Sequence, residues 1–198
     1  MKKIAVFASG NGSNFQALVE AEKTGVLGAK ISLLICDQPE AYVLKRASAE
    51  RIPFLCVSPK CYSSKVAYEQ ALLEQLNREN IDFILLAGYM RLIGATLLQA
   101  YPRRIINIHP SLLPAFPGKD AVDQAVNAGV KVTGLTVHYV DEGMDTGQII
   151  AQRAVEIETG DTRESIQKRI QLAEHQVYPA VVQQLLHDCI NLNLEGSK

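Results

Sequence analysis

No apolar run in this 198-residue chain approaches the roughly 20 residues that a membrane-spanning helix needs, although 47% of its residues are hydrophobic. Charge of one sign is also missing. The formal net charge is −1, so there is no bulk basic field to hold nucleic acid. Cysteine is sparse. Cys36, Cys56, Cys61 and Cys189 form no C-x-x-C pair, and they are expected to be reduced, mostly buried thiols. His109, His138, His175 and His187 show neither H-E-x-x-H nor finger spacing, so no metal is expected. No G-x-S-x-G turn appears, which removes support for a serine hydrolase. Internal repeats, low-complexity segments and linkers are missing too. The first residues, Met1-Lys2-Lys3-Ile4, run directly into a strand pattern and offer no small-residue cleavage site. These gaps predict a cytoplasmic protein with neither nucleic acid nor membrane as a partner; a monomer or homodimer acting on small molecules is expected.

What is present alternates. Strand patterns are predicted over 3–8, 29–36, 54–57, 81–87, 104–109, 131–140 and 148–157. Helical patterns are predicted over 14–24, 42–50, 65–80, 92–100 and 120–128, with a long last helix capped by Asp161 or Thr162 and running to about Asp188. The polar tail after Cys189 is expected to fray. Strand–helix alternation through the first two-thirds predicts an α/β fold: a doubly wound, mostly parallel sheet of about seven strands, helices on both faces, with a Rossmann-like N-terminal half.

The most informative stretch is Asn107-Ile108-His109-Pro110-Ser111-Leu112-Leu113-Pro114. Side chains alternate along a strand, so Ile106 and Ile108 face one side while Asn107 and His109 face the other. Pro110 stops the ladder. An amide and an imidazole therefore leave a strand end together, where open α/β sheets bind ligands. A histidine at a strand end is by itself more often structural than catalytic. The loop Asp141-Glu142-Gly143-Met144-Asp145-Thr146-Gly147 adds weight. It follows another strand, its glycines permit a tight return, and Asp145 can reach the imidazole. Amide donor, acid–base group and orienting anion are then together. The alternative is that Asp145 is a turn aspartate.

Ser9-Gly10-Asn11-Gly12-Ser13-Asn14 lies between the first strand and the first helix. Small residues there let backbone amides and a helix N-terminus approach an anion. Gly10 and Gly12 match the first two positions of the dinucleotide fingerprint, and Asp37 follows the second strand. The third position is Phe15, which spoils the close helix–strand approach, so a single phosphate is the preferred ligand. Leu85-Leu86-Ala87-Gly88-Tyr89, opening into Met90-Arg91-Leu92-Ile93, reads either as core followed by a helix start or as an apolar slot for a flat ring.

These stretches, together with Val137-His138-Tyr139-Val140, resemble the glycinamide ribonucleotide formyltransferases and, more broadly, the formyltetrahydrofolate-using transferases. The likeness runs nearly end to end and implies one domain over 1–198, with a phosphate-binding half to about residue 100 and a catalytic, folate-binding half beyond. It implies formyl transfer from 10-formyltetrahydrofolate, as co-substrate, to the amine of 5'-phosphoribosylglycinamide. Asn107, His109 and Asp145 would be catalytic. Gly12, Ser13, Asn14 and Glu174 would bind the ribonucleotide. Lys65, Met90, Arg91, Leu92, Ile93, Asn107, Val140, Asp141, Glu142, Gly143 and Met144 would bind the folate. Lys65 can equally be a solvated helix charge, and Glu174 an exposed acid beside His175. Some relatives carry a supporting histidine where this chain has Asp120. Formyl-folate enzymes acting on tRNA carry an extra RNA-binding domain and the hydrolases a regulatory one; this chain ends too soon for either.

Overall fold

The computed structural model describes the backbone of residues 1–195 and the side chains of residues 1–188. One seven-stranded sheet runs through it. In chain order the strands are β1 (Lys2–Ala8), β2 (Ala29–Cys36), β3 (Phe54–Cys56), β4 (Phe83–Leu86), β5 (Ile105–His109), β6 (Val132–Tyr139) and β7 (Ile149–Glu156). Their order across the sheet is β3-β2-β1-β4-β5-β6-β7. The first five pair in parallel, and β5–β6 and β6–β7 pair antiparallel.

Parallel strands covered on both faces bury successive residues in opposite layers. In β1, Ile4, Val6 and Ala8 enter one core and Ala5 and Phe7 the other. The first core packs against α1 (Ser13–Lys23), α2 (Tyr42–Ala49), α5 (Ala121–Ala128) and α6 (Arg163–Glu195). The second packs against α3 (Lys65–Arg78) and α4 (Ala95–Ala100). Sheet order reverses at β1: the chain steps outward to β2 and β3, then returns to β4. The crevice beyond the carboxyl ends of β1 and β4 is therefore the expected ligand site. The fully buried hydroxyl of Tyr178 on α6 lies 3.0 Å from the carbonyl oxygens of both Leu86 and Ile106, tying that helix to the ends of the two central strands.

Several expectations are corrected. The helix expected from Leu92 begins at Ala95, because the Gly94 N–H is taken by the buried Glu69 carboxylate at 2.6 Å and Gly94 stays extended. The last helix continues to Glu195 instead of stopping near Asp188 and fraying beyond Cys189. Of the described cysteine side chains only Cys36 is buried. Cys56 sits on the three-residue edge strand β3 and Cys61 in a short 3-10 turn, Pro59–Cys61, and both are exposed. The Cys189 side chain lies outside the described residues. Among those described, no helix is long and apolar enough to cross a membrane.

Candidate active site

β5 delivers Asn107 and His109 to the same side, as the alternation requires, while Ile106 and Ile108 enter the opposite core. The antiparallel neighbour β6 sets His138 directly across from Asn107. The turn after β6 then returns to β7 and places Asp145 against all three. The turn is tight: a Cβ at Gly147 would collide with the Tyr139 carbonyl. Its bracing aspartate is Asp141, whose Oδ1 accepts from the Gly143 N–H at 3.1 Å and the Thr146 hydroxyl at 2.7 Å. Asp145 is therefore not the residue that holds the turn.

The Asp145 side chain is only 13% exposed. Its Oδ2 accepts the Gly118 N–H at 2.8 Å and lies 3.3 Å from His109 Nδ1. Its Oδ1 lies 3.4 Å from Asn107 Nδ2 and 3.6 Å from His138 Nε2. Burial pushes this carboxyl up, but the His138 ring, the Gly118 N–H and the His109 ring together hold it below the ordinary carboxylate range. Asp145 is thus an anion at neutral pH.

The two imidazoles are arranged differently. His138 Nδ1 lies 2.8 Å from the Tyr139 carbonyl, which can only accept, so that nitrogen carries the proton. Its Nε2 lies 3.1 Å from Asn107 Nδ2 and 3.6 Å from Asp145 Oδ1: unprotonated it accepts from the amide, and protonated it faces the carboxylate. His109 has acceptors on both sides: the Phe116 carbonyl at 2.9 Å from Nε2 and the Asp145 carboxylate beside Nδ1. Protonated at both nitrogens, the ring donates to the carbonyl and faces the carboxylate as a cation. Ser111 holds the loop that supplies the Phe116 carbonyl, donating to Ala115 O at 2.6 Å. His138 was missed as a site residue by the sequence reading, since only the β5–β6 register brings it beside Asn107.

This cluster lies on the wall of one cavity of ≈ 640 Å³. The turn from β1 to α1 forms another part of that wall. Gly12 is left-handed (φ 78°), and a Cβ there would run into Val43 on α2. Phe15 is fully buried beneath the turn. Asn14 donates from Nδ2 to Glu174 Oε2 at 2.9 Å, and its Oδ1 is buried without a hydrogen-bond partner. Glu174, expected as a possible exposed acid, is 5% exposed; burial raises its carboxyl to about 7 against the opposing Asn14 bond.

The segment after β4 forms a further part of the wall. Residues 90–93, Val140, Asp141, Gly143 and Met144 all line the cavity, with Met90, Leu92 and Met144 holding substantial apolar surface open to it. Two expected residues are not brought to the wall. Lys65, at the start of α3, extends toward Glu69 with its Nζ 4.0 Å from Oε1, and Glu142 is exposed at the tip of its turn. Asp120 lines the cavity in a left-handed conformation (φ 55°) at the start of α5, without capping it. α6 adds Arg163, Gln167 and Gln171 about three, two and one turns before Glu174, a helical spacing that the sequence reading did not connect to the site.

Among the described residues, no group of three or more His, Cys, Asp or Glu side chains could hold a metal ion. The cavity joins the small-residue β1–α1 turn, an apolar slot and an amide–imidazole–carboxylate cluster.

Residues 2–182 match the formyl transferase family model. The phosphoribosylglycinamide formyltransferase of Bacillus subtilis (strain 168) is 60% identical over 198 residues, covering 100% of both chains. The crystal structure of glycinamide ribonucleotide transformylase 1 from Geobacillus kaustophilus superposes with a TM-score of 0.91 at 59% identity, over 94% of this chain and 99% of that one. That of phosphoribosylglycinamide formyltransferase from Bacillus halodurans gives 0.91 at 55% identity, over 93% and 95%. On these residues, this sheet order and these matches, the chain belongs to the formyl transferase family.

Proposed function

We propose that this enzyme transfers a formyl group from 10-formyltetrahydrofolate to the amine of 5'-phosphoribosylglycinamide, a step of purine biosynthesis. The observation that carries the reading is the placement of the Asn107–His109–Asp145 cluster in one cavity with both the β1–α1 turn and the apolar 90–93 segment. A phosphorylated acceptor fits the turn, a flat folate ring fits the slot, and the reacting atoms meet at the cluster.

The acceptor's phosphate takes the amides of Gly12, Ser13 and Asn14 at the positive end of α1. Glu174 and the unpaired Asn14 Oδ1 are acceptors for its polar groups. The folate ring lies between residues 90–93 and the loop from Val140 to Asp145. Lys65 and Glu142 stand outside the cavity wall and act, if on the folate, only on a tail that leaves the slot. The acceptor amine attacks the formyl carbon, and the new C–N bond forms as the carbonyl electrons move to oxygen. A donor from Asn107 and the positive charge of the His109 imidazolium stabilise that oxyanion. The Asn107 hydrogen facing Asp145 at 3.4 Å is its weaker-held one and is the one that turns to the oxyanion. The adduct collapses as the bond from carbon to the folate nitrogen breaks. The proton lost by the amine reaches that nitrogen through a water held by Asp145. The products are tetrahydrofolate and the formylated ribonucleotide.

The chain works as one domain, since one sheet crosses both halves and each half contributes to the cavity. Both partners are small molecules; neither nucleic acid nor membrane takes part, and the protein acts in the cytoplasm as a monomer or homodimer. Calorimetry with the ribonucleotide and with its dephosphorylated form tests the assignment. The intact ribonucleotide is expected to bind far more tightly, and equal affinities would remove the phosphate from the β1–α1 turn.

A further inference from the structure

Asp37 is the acidic residue that follows β2, where a dinucleotide-binding fold would use it on a ribose. It does not line the cavity here. Its side chain is 1% exposed, and its Oδ2 accepts from Arg91 Nε at 2.6 Å. The Gln38 amide is a weaker second donor to the same oxygen at 3.3 Å. Oδ1 is buried without a hydrogen-bond partner. Arg91 does line the cavity, with 37% of its side chain exposed. Among the described residues, Asp37 is the one hydrogen-bond partner of that guanidinium.

We propose that Asp37 is a positioning residue for the folate side of the cavity: it grips Arg91 by Nε and so presents the two terminal guanidinium nitrogens to the co-substrate. The inference rests on the formyl-transfer reading above. A pair of a buried carboxylate and a partly exposed cation adds little stability, because the carboxylate must be desolvated while the attraction stays screened. This pair also leaves one carboxylate oxygen unsatisfied, so stability does not account for it. What the pair does is fix direction. A guanidinium is planar, and a bond at Nε sets the plane in which the terminal N–H groups point. Those four N–H groups remain for an acceptor oxygen or nitrogen of the ligand.

The surrounding segment is braced in the same manner. The Met90 N–H donates to Ser9 Oγ at 2.9 Å, the hydroxyls of Tyr89 and Tyr68 meet at 2.8 Å, and Glu69 holds Gly94. Residues 89–94 are thus fastened at four points from outside the cavity, and Asp37 fastens the one charged side chain among them. A ligand that meets Arg91 then spends little entropy in ordering it.

The test is a double-mutant cycle on the intact enzyme, read by steady-state kinetics and by direct calorimetry of the folate. Asp37→Ala is expected to raise KM for formyl-folate about tenfold, with kcat within about threefold and KM for the ribonucleotide unchanged. Asp37→Asn, which keeps an acceptor oxygen, recovers most of the loss. Arg91→Ala leaves a buried carboxylate without its cation and lowers Tm. Adding Asp37→Ala to it restores Tm and weakens folate binding no further. Additive folate penalties, equal loss of both substrates, or a double variant less stable than Arg91→Ala would overturn the proposal. If the unmutated enzyme formylates no ribonucleotide, the function reading falls, while the folate calorimetry still decides the role of Asp37.

Discussion

Replacing Asp145 by Asn changes one oxygen into an NH₂ group and removes one charge, and the structure says what each change does. The carboxylate accepts on both oxygens, the Gly118 N–H on Oδ2 and the Asn107 amide on Oδ1, and the His109 ring lies 3.3 Å from Oδ2. An amide oriented with its oxygen toward Gly118 keeps that bond but turns an NH₂ toward the Asn107 NH₂. The opposite orientation sets two donors face to face at Gly118. The first is the better fit, so the loop persists, all the more because Asp141 braces it. His109 loses a charge-assisted partner of about 1.5–3 kcal/mol, or roughly 10- to 150-fold at about 1.4 kcal/mol per tenfold. Loss of the proton relay overlaps with this and is by itself worth about 10²–10⁴. Asp145→Asn is therefore expected to bind both substrates and lose at least about a hundredfold in kcat. Its acid limb should shift, because the anion that favours the His109 imidazolium is gone. Stability gives a second reading. The folded carboxyl lies below its ordinary value, so its contribution is present above that value and is lost as pH falls through the folded one. The Tm gap between the two proteins should be widest at neutral pH and close below about pH 4. Normal kcat across the pH range would reduce Asp145 to a loop residue and leave His109 as the sole acid–base group.

Asn107→Ala should stay folded and lose about a hundredfold or more in kcat; near-normal turnover takes Asn107 out of the reaction. His109→Ala should lose about 10²–10⁴ in rate with much less change in folate affinity, since the slot is built from other elements. Parallel collapse of rate and binding would make His109 a binding residue. Glu174→Gln should raise Tm by a few degrees at pH 8 and not at pH 4. The folded carboxyl titrates at about 7, so the native protein loses stability as pH rises from the ordinary carboxylate value toward 7, and Gln escapes that loss. The same variant should bind the ribonucleotide more weakly; unchanged Tm curves would mean that Glu174 is solvated.

The sheet was legible because five of its seven strands, β1, β2, β4, β5 and β6, are largely buried on both faces and stand among clear helical patterns. Periodicity did not reveal edges: Cys56 lies in a short apolar stretch like any other, yet β3 is the edge and the thiol is exposed. The start of α4 was misread because Leu92 and Ile93 look helical, while the competing bond from Gly94 to Glu69 comes from 25 positions away. Asn107, His109 and Asp145 could be paired from strand parity and loop length. His138 could not, because its place beside Asn107 depends on the β5–β6 register. The Asp37–Arg91 pair spans 54 positions and is visible only once β2 and β4 lie on either side of β1. Only the fold shows that Lys65, with its Nζ 4.0 Å from Glu69 Oε1, stands beside Gly94 and outside the cavity wall.

The central claim is one reaction with two substrates in one cavity. The direct measurement mixes the purified protein with 10-formyltetrahydrofolate and 5'-phosphoribosylglycinamide, follows the folate product by absorbance, and weighs the ribonucleotide by mass spectrometry. The account predicts tetrahydrofolate and formylated ribonucleotide in equal amounts, with neither formed when the other substrate is omitted. Tetrahydrofolate released without the ribonucleotide, with formate in its place, would contradict it, as would no product from the complete mixture.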